Sequence, residues 1–553
     1  MYENGLSAGR LALWLSGVSI LSLCAARPSQ AFEYTFNNGV AVQFDNTIQY
    51  SVLERTAPES SVLGSAINSN DGDNNLRAGI VSNRLDLLTD FGISDNGYGF
   101  DTSFDSFYDT VYNQHTQNFN SLSYNPANEP SDKFTSATRT QAGRNIELRN
   151  LFIYGTQNIG GIPVTLRVGR LVNLFGESLL FAQNGISYGM APIDIERAND
   201  VPNTQAKDLF LPVGQALISA QVTDSISVSA YYQFEWEKFN FPPAGSYFNT
   251  TADFLDAGGQ RIIAKPVGGA GLPPDTAAYF YRGPDQGGAD TGQFGIAFHY
   301  DPIGSPVDLG LYALQYNDSE PQIYVEPKAG APQFIPGTPN ALRVGSYQVV
   351  YANGIQIYGV SGSSTFGPAN VAGEVSIRTN EDLVSSVTVP VGAHPNNSNS
   401  ALYATGNTLH YQASVIYAGP KARYWDSSSL LAEVAGVNLL GFDKNRNNFS
   451  YATQQHMAFG FRAKYTLTYY EVFPGLDVNP NIGLGWNFMG HAPDTRAFNT
   501  TGIDRGGDLT LGISAVYLAN WRGGITYTRY ISPPGRDPYA DRDFVGLNIE
   551  RTF

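Results

Sequence analysis

The stretch Asp543–Phe553 constrains this chain more tightly than any other. Read backward, every second residue is Phe553, Arg551, Ile549, Leu547 and Val545, and the residues between them are Thr552, Glu550, Asn548 and Gly546. A strand points alternate side chains to opposite faces, so this segment has one mostly apolar face and one small, polar face. A soluble domain would bury the apolar face in a core. A membrane barrel would turn it to lipid and give the polar face to a wet lumen.

Composition favours the barrel. The 553 residues include 33 Tyr, 32 Phe and 58 Gly, and only 15% are charged. A membrane helix needs a run of about 18 or more apolar residues, and none occurs beyond the amino-terminal segment. The apolar residues are spread through alternating segments instead.

Residues 1–31 read as a cleaved export signal, leaving 32–553 as a single domain. Arg10 precedes the apolar stretch Leu11 to Ala26, and Ser29-Gln30-Ala31 forms a small-x-small cleavage site. Cys24 is the sole cysteine, and the large Leu23 before it is wrong for lipoprotein processing. The exported chain therefore has no thiolate for a metal site or for catalysis. Glu3, Arg10 and Arg27 give the signal a net charge of +1, so the remainder carries −17. With no clustered positive charge to displace counterions, nucleic acid is excluded as a partner.

Period-two alternation places strands near 40–53, 84–93, 98–109, 146–156, 163–170, 215–222, 226–237, 293–300 and 307–316. It continues near 355–366, 370–379, 407–418, 428–440, 455–469, 478–488, 508–518, 522–531 and 541–553. Phe32 to Phe36 and Asn37-Asn38-Gly39 make a hairpin-like start. Short turns at 94–97, 157–162, 223–225 and 367–368 alternate with long polar connections such as 54–78, 110–145 and the Gly/Pro-rich 238–290. The fold expected is all-β: a transmembrane antiparallel up-and-down β-barrel of about 18 strands, both termini on the short-turn side.

Alternation stops between Arg170 and Pro212. This third long loop, about 171–211, carries Leu174, Phe175, Leu179, Leu180 and Phe181, which need burial. By analogy with general porins it folds into the lumen and narrows it; the alternative is a cap over the mouth. Within it Gly185-Ile186-Ser187-Tyr188-Gly189 matches G-x-S-x-G, but neither the preceding strand nor the following helix of a nucleophile elbow is present. The six histidines are scattered. Asn70-Asp71-Gly72-Asp73-Asn74-Asn75 lacks EF-hand spacing and its closing Glu. No enzymatic activity, cofactor or metal site is expected.

The run Val168-Gly-Arg, Phe175-Gly-Glu-Ser, Ala191-Pro-Ile-Asp, Leu211-Pro-Val-Gly and Tyr231-Tyr-Gln-Phe-Glu-Trp-Glu-Lys resembles a family of large proteobacterial outer-membrane proteins of unknown function. Tyr358-Gly-Val-Ser-Gly-Ser and Ala372-Gly-Glu-Val-Ser-Ile-Arg resemble the same family. The resemblance implies an envelope transport role for hydrophobic or lipid-like cargo, alongside an RND-type transporter and a periplasmic lipoprotein. Likewise Val545, Leu547, Ile549 and Phe553 resemble the insertion signal read by barrel-assembly machinery, with Arg551 as a departure.

The expectation is an outer-membrane channel embedded in lipid, passing small or amphipathic molecules. Its selectivity would be set by the inserted loop and by lumen charges. Those charges are Arg84, Asp86, Asp101, Asp105, Arg167, Glu235, Glu374, Arg378, Arg462 and Lys464 on the wall. Glu177, Asp194, Glu196, Arg197 and Asp200 stand on the loop. The competing readings are a plugged structural or surface-binding barrel, and a hydrolase resting on Ser187.

Overall fold

A strand with one greasy face can lie in hydrocarbon only if both of its edges are paired, so a sheet made of such strands has to close on itself. The computed structural model describes residues 32–119, 124–127, 129–202, 204, 209–250, 252–268, 272–273, 276–335, 338–495, 498 and 504–553. The export signal expected at 1–31 lies outside them. Eighteen antiparallel strands close into one barrel. They are β1 (Ala41–Arg55), β2 (Gly79–Asp95), β3 (Tyr98–Asp109), β4 (Arg144–Ile159), β5 (Ile162–Leu171), β6 (Val213–Thr223), β7 (Ile226–Gln233), β8 (Gln293–Tyr300) and β9 (Val307–Tyr316). The second half comprises β10 (Ile355–Phe366), β11 (Ala369–Asp382), β12 (Thr405–Gly419), β13 (Ser427–Lys444), β14 (Met457–Phe473), β15 (Leu476–Met489), β16 (Gly506–Tyr517), β17 (Trp521–Tyr530) and β18 (Phe544–Thr552).

Closure joins β18 to β1, with Val52 opposite Leu547 and Tyr50 opposite Ile549. Asn46 and Phe553 exchange two backbone hydrogen bonds of 2.9 Å at the same seam. The short strand Phe32–Thr35 folds back on the start of β1, which is the hairpin-like start expected. Every expected strand is present. Asn96 and Gly97 take φ of 47° and 85° in the β2–β3 turn, as a two-residue hairpin with primed geometry requires.

The two faces separate as the alternation demands. Leu309, Leu311, Tyr358, Val360, Leu547 and Ile549 point outward and are 46–54% exposed. In water such a band would be a large apolar liability; in a bilayer it is the lipid contact. Arg551 also points outward, its guanidinium 5.0 Å from the centre of the Trp521 ring. Its charged head stays with the aromatics at the short-turn rim while its stem lies along the apolar face.

Nine long connections gather at the other rim. The fourth, fifth and sixth (residues 234–292, 317–354 and 383–404) contain a six-stranded mixed sheet of their own. Its central strand Thr338–Val350 pairs parallel with Ala277–Arg282 and antiparallel with Gln322–Pro327. Reading 238–290 as a Gly- and Pro-rich loop missed this sheet. Most of its strands are six residues or fewer, and the pairing joins segments far apart in sequence, so little local periodicity marks them.

Candidate functional site

The third loop (residues 172–212) leaves β5, runs inside the barrel and returns to β6. Carboxylates on the wall hold it by its backbone. Glu374 on β11 accepts the N–H of Glu177 at 2.6 Å with one oxygen and that of Ile186 at 2.9 Å with the other. Gln412 on β12 donates to the same Glu374 carboxylate at 2.9 Å. Glu433 on β13 accepts the N–H groups of Leu179 at 3.1 Å and Phe181 at 2.9 Å, and also that of Leu180. Irregular backbone at membrane depth needs such partners, because an unpaired buried N–H is costly.

Close approach explains two glycines here. Gly176 has φ of +89°, and a Cβ there would lie 2.3 Å from Glu374 Oε2; a Cβ on Gly359 of β10 would lie 2.6 Å from Ile186 Cδ1. Arg378 on β11 reaches across to the carbonyl oxygens of Gln183 at 2.9 Å and Gly185 at 3.2 Å.

The apolar residues of the loop are buried as their composition requires. Phe175, Ile186, Tyr188 and Met190 pack against Tyr231, Tyr312, Tyr316 and Ile357 of the wall. Phe181 joins Ala435, Val437, Ala458 and Phe498. Tyr188 donates to Asp318 at 2.7 Å.

Past Met190 the loop crosses to the opposite side of the ring. A short helix, Ile195–Asp200, is capped by Asp194, whose side chain accepts the N–H of Arg197. Arg197 pairs with Asp105 on β3, and Arg84 on β2 clasps Asp86 at 2.8 and 2.9 Å. Arg149 on β4 stands 4.0 Å from Asp194. Asp105 of β3 is 1% exposed and Asp86 of β2 is 3% exposed, so the helix plugs this part of the lumen through paired charges.

Burial with few cations unsettles the loop's own acids. Burial, then Asp308 and Glu374, push the Glu177 carboxyl up to about 7. Burial, then Asp109, push Asp200 up to about 8. Glu196 is raised by burial and then by Asp200.

The expected site residues thus fall into groups. Arg84, Asp86, Asp105, Asp194, Glu196, Arg197 and Asp200 come together where the helix meets β2–β4. Glu177, Glu374 and Arg378 meet on the far wall. Asp101 and Arg167 are within electrostatic reach of one another. Arg462 pairs with Asp508 of β16 at 3.1 Å, and Lys464, two residues along β14, is exposed with no carboxylate at ion-pair distance among the described residues. Glu235 lies past the end of β7 and pairs with Arg170. Arg170 shares the parity of Val168 and Leu166, the outward face at the long-loop rim. Sequence reading missed Glu433, although it is the one charge between Ser427 and Phe442 of an apolar strand and has inward parity between Ala432 and Val434.

Among the described residues no hydrogen bond ties the third loop to β15, β16 or β17. The inward residues along the middle of these strands are small: Asn481 opposite Gly512, Gly483 opposite Thr510, Ser514 opposite Gly524. Near the short-turn rim Arg522 keeps half its side chain exposed while pairing with Glu550 at 3.4 Å. Among the described residues, then, the loop is tied to most of the ring, and Asn481, Gly483, Thr510, Ser514 and Thr526 form a half-exposed polar crescent with no hydrogen bond to it.

Ser187 sits in a 3₁₀ turn, Ile186–Gly189, that follows another, Ala182–Asn184. A nucleophile elbow needs a strand before it and a helix after it, and neither is there.

A family model matches residues 12–553, described as a protein of unknown function (DUF1302). The chain belongs to that family. No curated protein matches this DUF1302 member in sequence. Among solved structures it is similar to OccAB4 of Acinetobacter baumannii, at 10% identity over 95% of this chain and 100% of the other, with a TM-score of 0.42. OccK1 (OpdK) of Pseudomonas aeruginosa gives 9% over 93% and 98%, with a TM-score of 0.41. A BenF-like porin from Pseudomonas fluorescens Pf-5 gives 9% over 93% and 98%, with a TM-score of 0.42. Likeness at that level bears on neither the permeant nor the lining of this DUF1302 barrel.

Proposed function

We propose that this protein is an outer-membrane channel for small polar or amphipathic solutes, constricted by its third loop. The observation that carries this reading is the polar crescent beside a fixed loop. The loop is anchored to β2–β4 on one side and β11–β13 on the other, while Asn481, Gly483, Thr510, Ser514 and Thr526 line the wall between, half-exposed and with no hydrogen bond to the loop among the described residues. A loop meant only to seal the barrel would have no reason to leave a face of small polar residues.

Selection in this reading is steric and electrostatic. A solute passing the crescent meets Lys464, which has no ion-pair partner among the described residues, the Arg462–Asp508 pair and the Arg522–Glu550 pair. The half-buried aromatic rings of Phe152 and Tyr154, 6.3 Å apart on β4, add an apolar surface on the inner wall, which suits amphipathic and lipid-like cargo. An RND-type transporter and a periplasmic lipoprotein, as the resemblance implies, would exchange such cargo at the short-turn rim. The test is ionic current through purified protein in a planar bilayer. Steady single-channel steps support the channel; a silent, correctly folded barrel would favour the second reading, in which the six-stranded sheet over the long-loop rim binds a partner.

A further inference from the structure

At the long-loop end of β11 the ladder is interrupted. Its register with β12 shifts between Arg378 and Glu381, and Asn380 takes φ of +56°. A bulge re-aims the side chains that follow it, and here it brings Glu381 inside, 2% exposed. His410 of β12 and Asp494 of the eighth loop (residues 490–505) meet it there. One ligand-capable atom from each of the three lies within 4.8 Å of the others, and the side chains of His410 and Asp494 are 1% and 5% exposed.

Hydrogen bonds fix which nitrogen of His410 faces this cluster. Asn184 Nδ2 donates to the carbonyl oxygen of Tyr411 at 3.2 Å and to Gln412 Oε1 at 3.3 Å. Its Oδ1 is therefore the atom 2.9 Å from His410 Nδ1, and Nδ1 carries the hydrogen. Nε2 then turns its lone pair toward Thr408 Oγ1 at 2.8 Å and Glu381 Oε2 at 3.6 Å. Thr408 has a single hydroxyl hydrogen, and Glu381 Oε2 also lies within its reach. A lone pair and a carboxylate oxygen thus share one donor.

Asp494 gives the independent sign. Its Oδ1 is buried with no hydrogen-bond partner, and the cation beside it, Arg378, is 3.9 Å from the other oxygen. Arg378 is already committed to Glu381 Oε1 at 2.9 Å and to two loop carbonyls. Two carboxylates and an imidazole lone pair converge where one guanidinium cannot serve them all.

We propose that Glu381, His410 and Asp494 bind a divalent first-row metal ion, Zn2+ being the probe of choice. His410 Nε2 and Glu381 Oε2, 3.6 Å apart, are spaced as two ligands of an ion with bonds of about 2.0–2.2 Å, Asp494 would draw in from within 4.8 Å on binding, and imidazole with two carboxylates is a zinc-compatible donor set. Asn184, hydrogen-bonded to the far side of His410, is the outer partner that orients the ring. The ion would pin the eighth loop to the wall and, through Asn184, steady the third loop as well.

The experiment uses the full folded protein in detergent, stripped with a chelator, reloaded with Zn2+ and freed of excess metal before its zinc content is measured. The expected result is about one zinc per chain and a raised melting temperature. Losing an outer partner alone costs a metal site about 10–100-fold, so His410→Gln and Asp494→Asn should each weaken binding at least about tenfold. Comparison is made on fractions that keep the heat-modifiable mobility of a closed barrel. Wild-type protein that retains no zinc overturns the proposal by itself. So does zinc held equally well by wild type and both variants.

Discussion

The Glu433 carboxylate accepts the backbone N–H of Phe181 at 2.9 Å, joining β13 to the third loop across 252 positions of sequence. With Leu179 and Leu180 bound by the same carboxylate, one side chain satisfies a whole turn of buried backbone. Each N–H left unpaired costs about 1–3 kcal/mol. Glu433→Ala should therefore loosen residues 177–186 without opening the barrel. Limited proteolysis in detergent checks this: faster cleavage within the loop is expected, with the strands intact.

At the other anchor the charges are buried, so breaking a pair should cost more than its removal. Arg197→Met leaves Asp105 and Asp86 facing each other with Arg84 alone beside them among the described residues, at an expected cost of about 3–5 kcal/mol. Arg197→Met combined with Asp105→Leu should recover most of that loss, because no buried charge is then stranded. Denaturant unfolding of the four proteins of this cycle gives the comparison.

The loop should also respond to pH, and the sign follows from its acids. Glu177 and Asp200 titrate at about 7 and about 8 in the folded chain, above the ordinary 4.5 and 3.8. Between those limits the folded loop holds more protons than the released loop, so docking weakens as pH rises from about 4 to about 8. Amide protection factors across 176–200, each rate being divided by the intrinsic rate at that pH, should be higher at pH 5 than at pH 8. Asp200→Asn should remove part of that difference.

The assignment of faces has its own test. Leu547 points outward and is 46% exposed, whereas its neighbour Asn548 points inward. A lysine on the lipid face costs about 2–4 kcal/mol near mid-bilayer, and one in the lumen much less. Leu547→Lys should be destabilised by that amount in urea unfolding from vesicles, and Asn548→Lys only slightly.

Strands whose outer face meets lipid and whose inner face meets water announce themselves, which is why β1 to β18 could be read from alternation alone. So could the third loop, because Phe175, Leu179 and Phe181 had no strand to belong to and had to be buried. What holds the loop was harder to see. Glu433 and Glu374 have inward parity in plain view, but nothing local to either says that it caps backbone N–H groups some 190 to 250 positions away. The Glu381–His410–Asp494 cluster depends on a bulge at Asn380 that no periodicity marks. Glu235 misled for the opposite reason: perfect alternation runs on to Trp236, while the ladder ends at Gln233 and Arg170 draws the carboxylate to the rim.

The central claim is that the third loop, fixed to the inner wall, sets the width of a conducting pore. Single-channel current in a planar bilayer, compared between wild type and a chain lacking residues 176–200, tests it most directly. The deletion should give steps clearly larger than those of wild type at the same voltage and salt. Steps of unchanged size from a folded deletion variant would contradict the account.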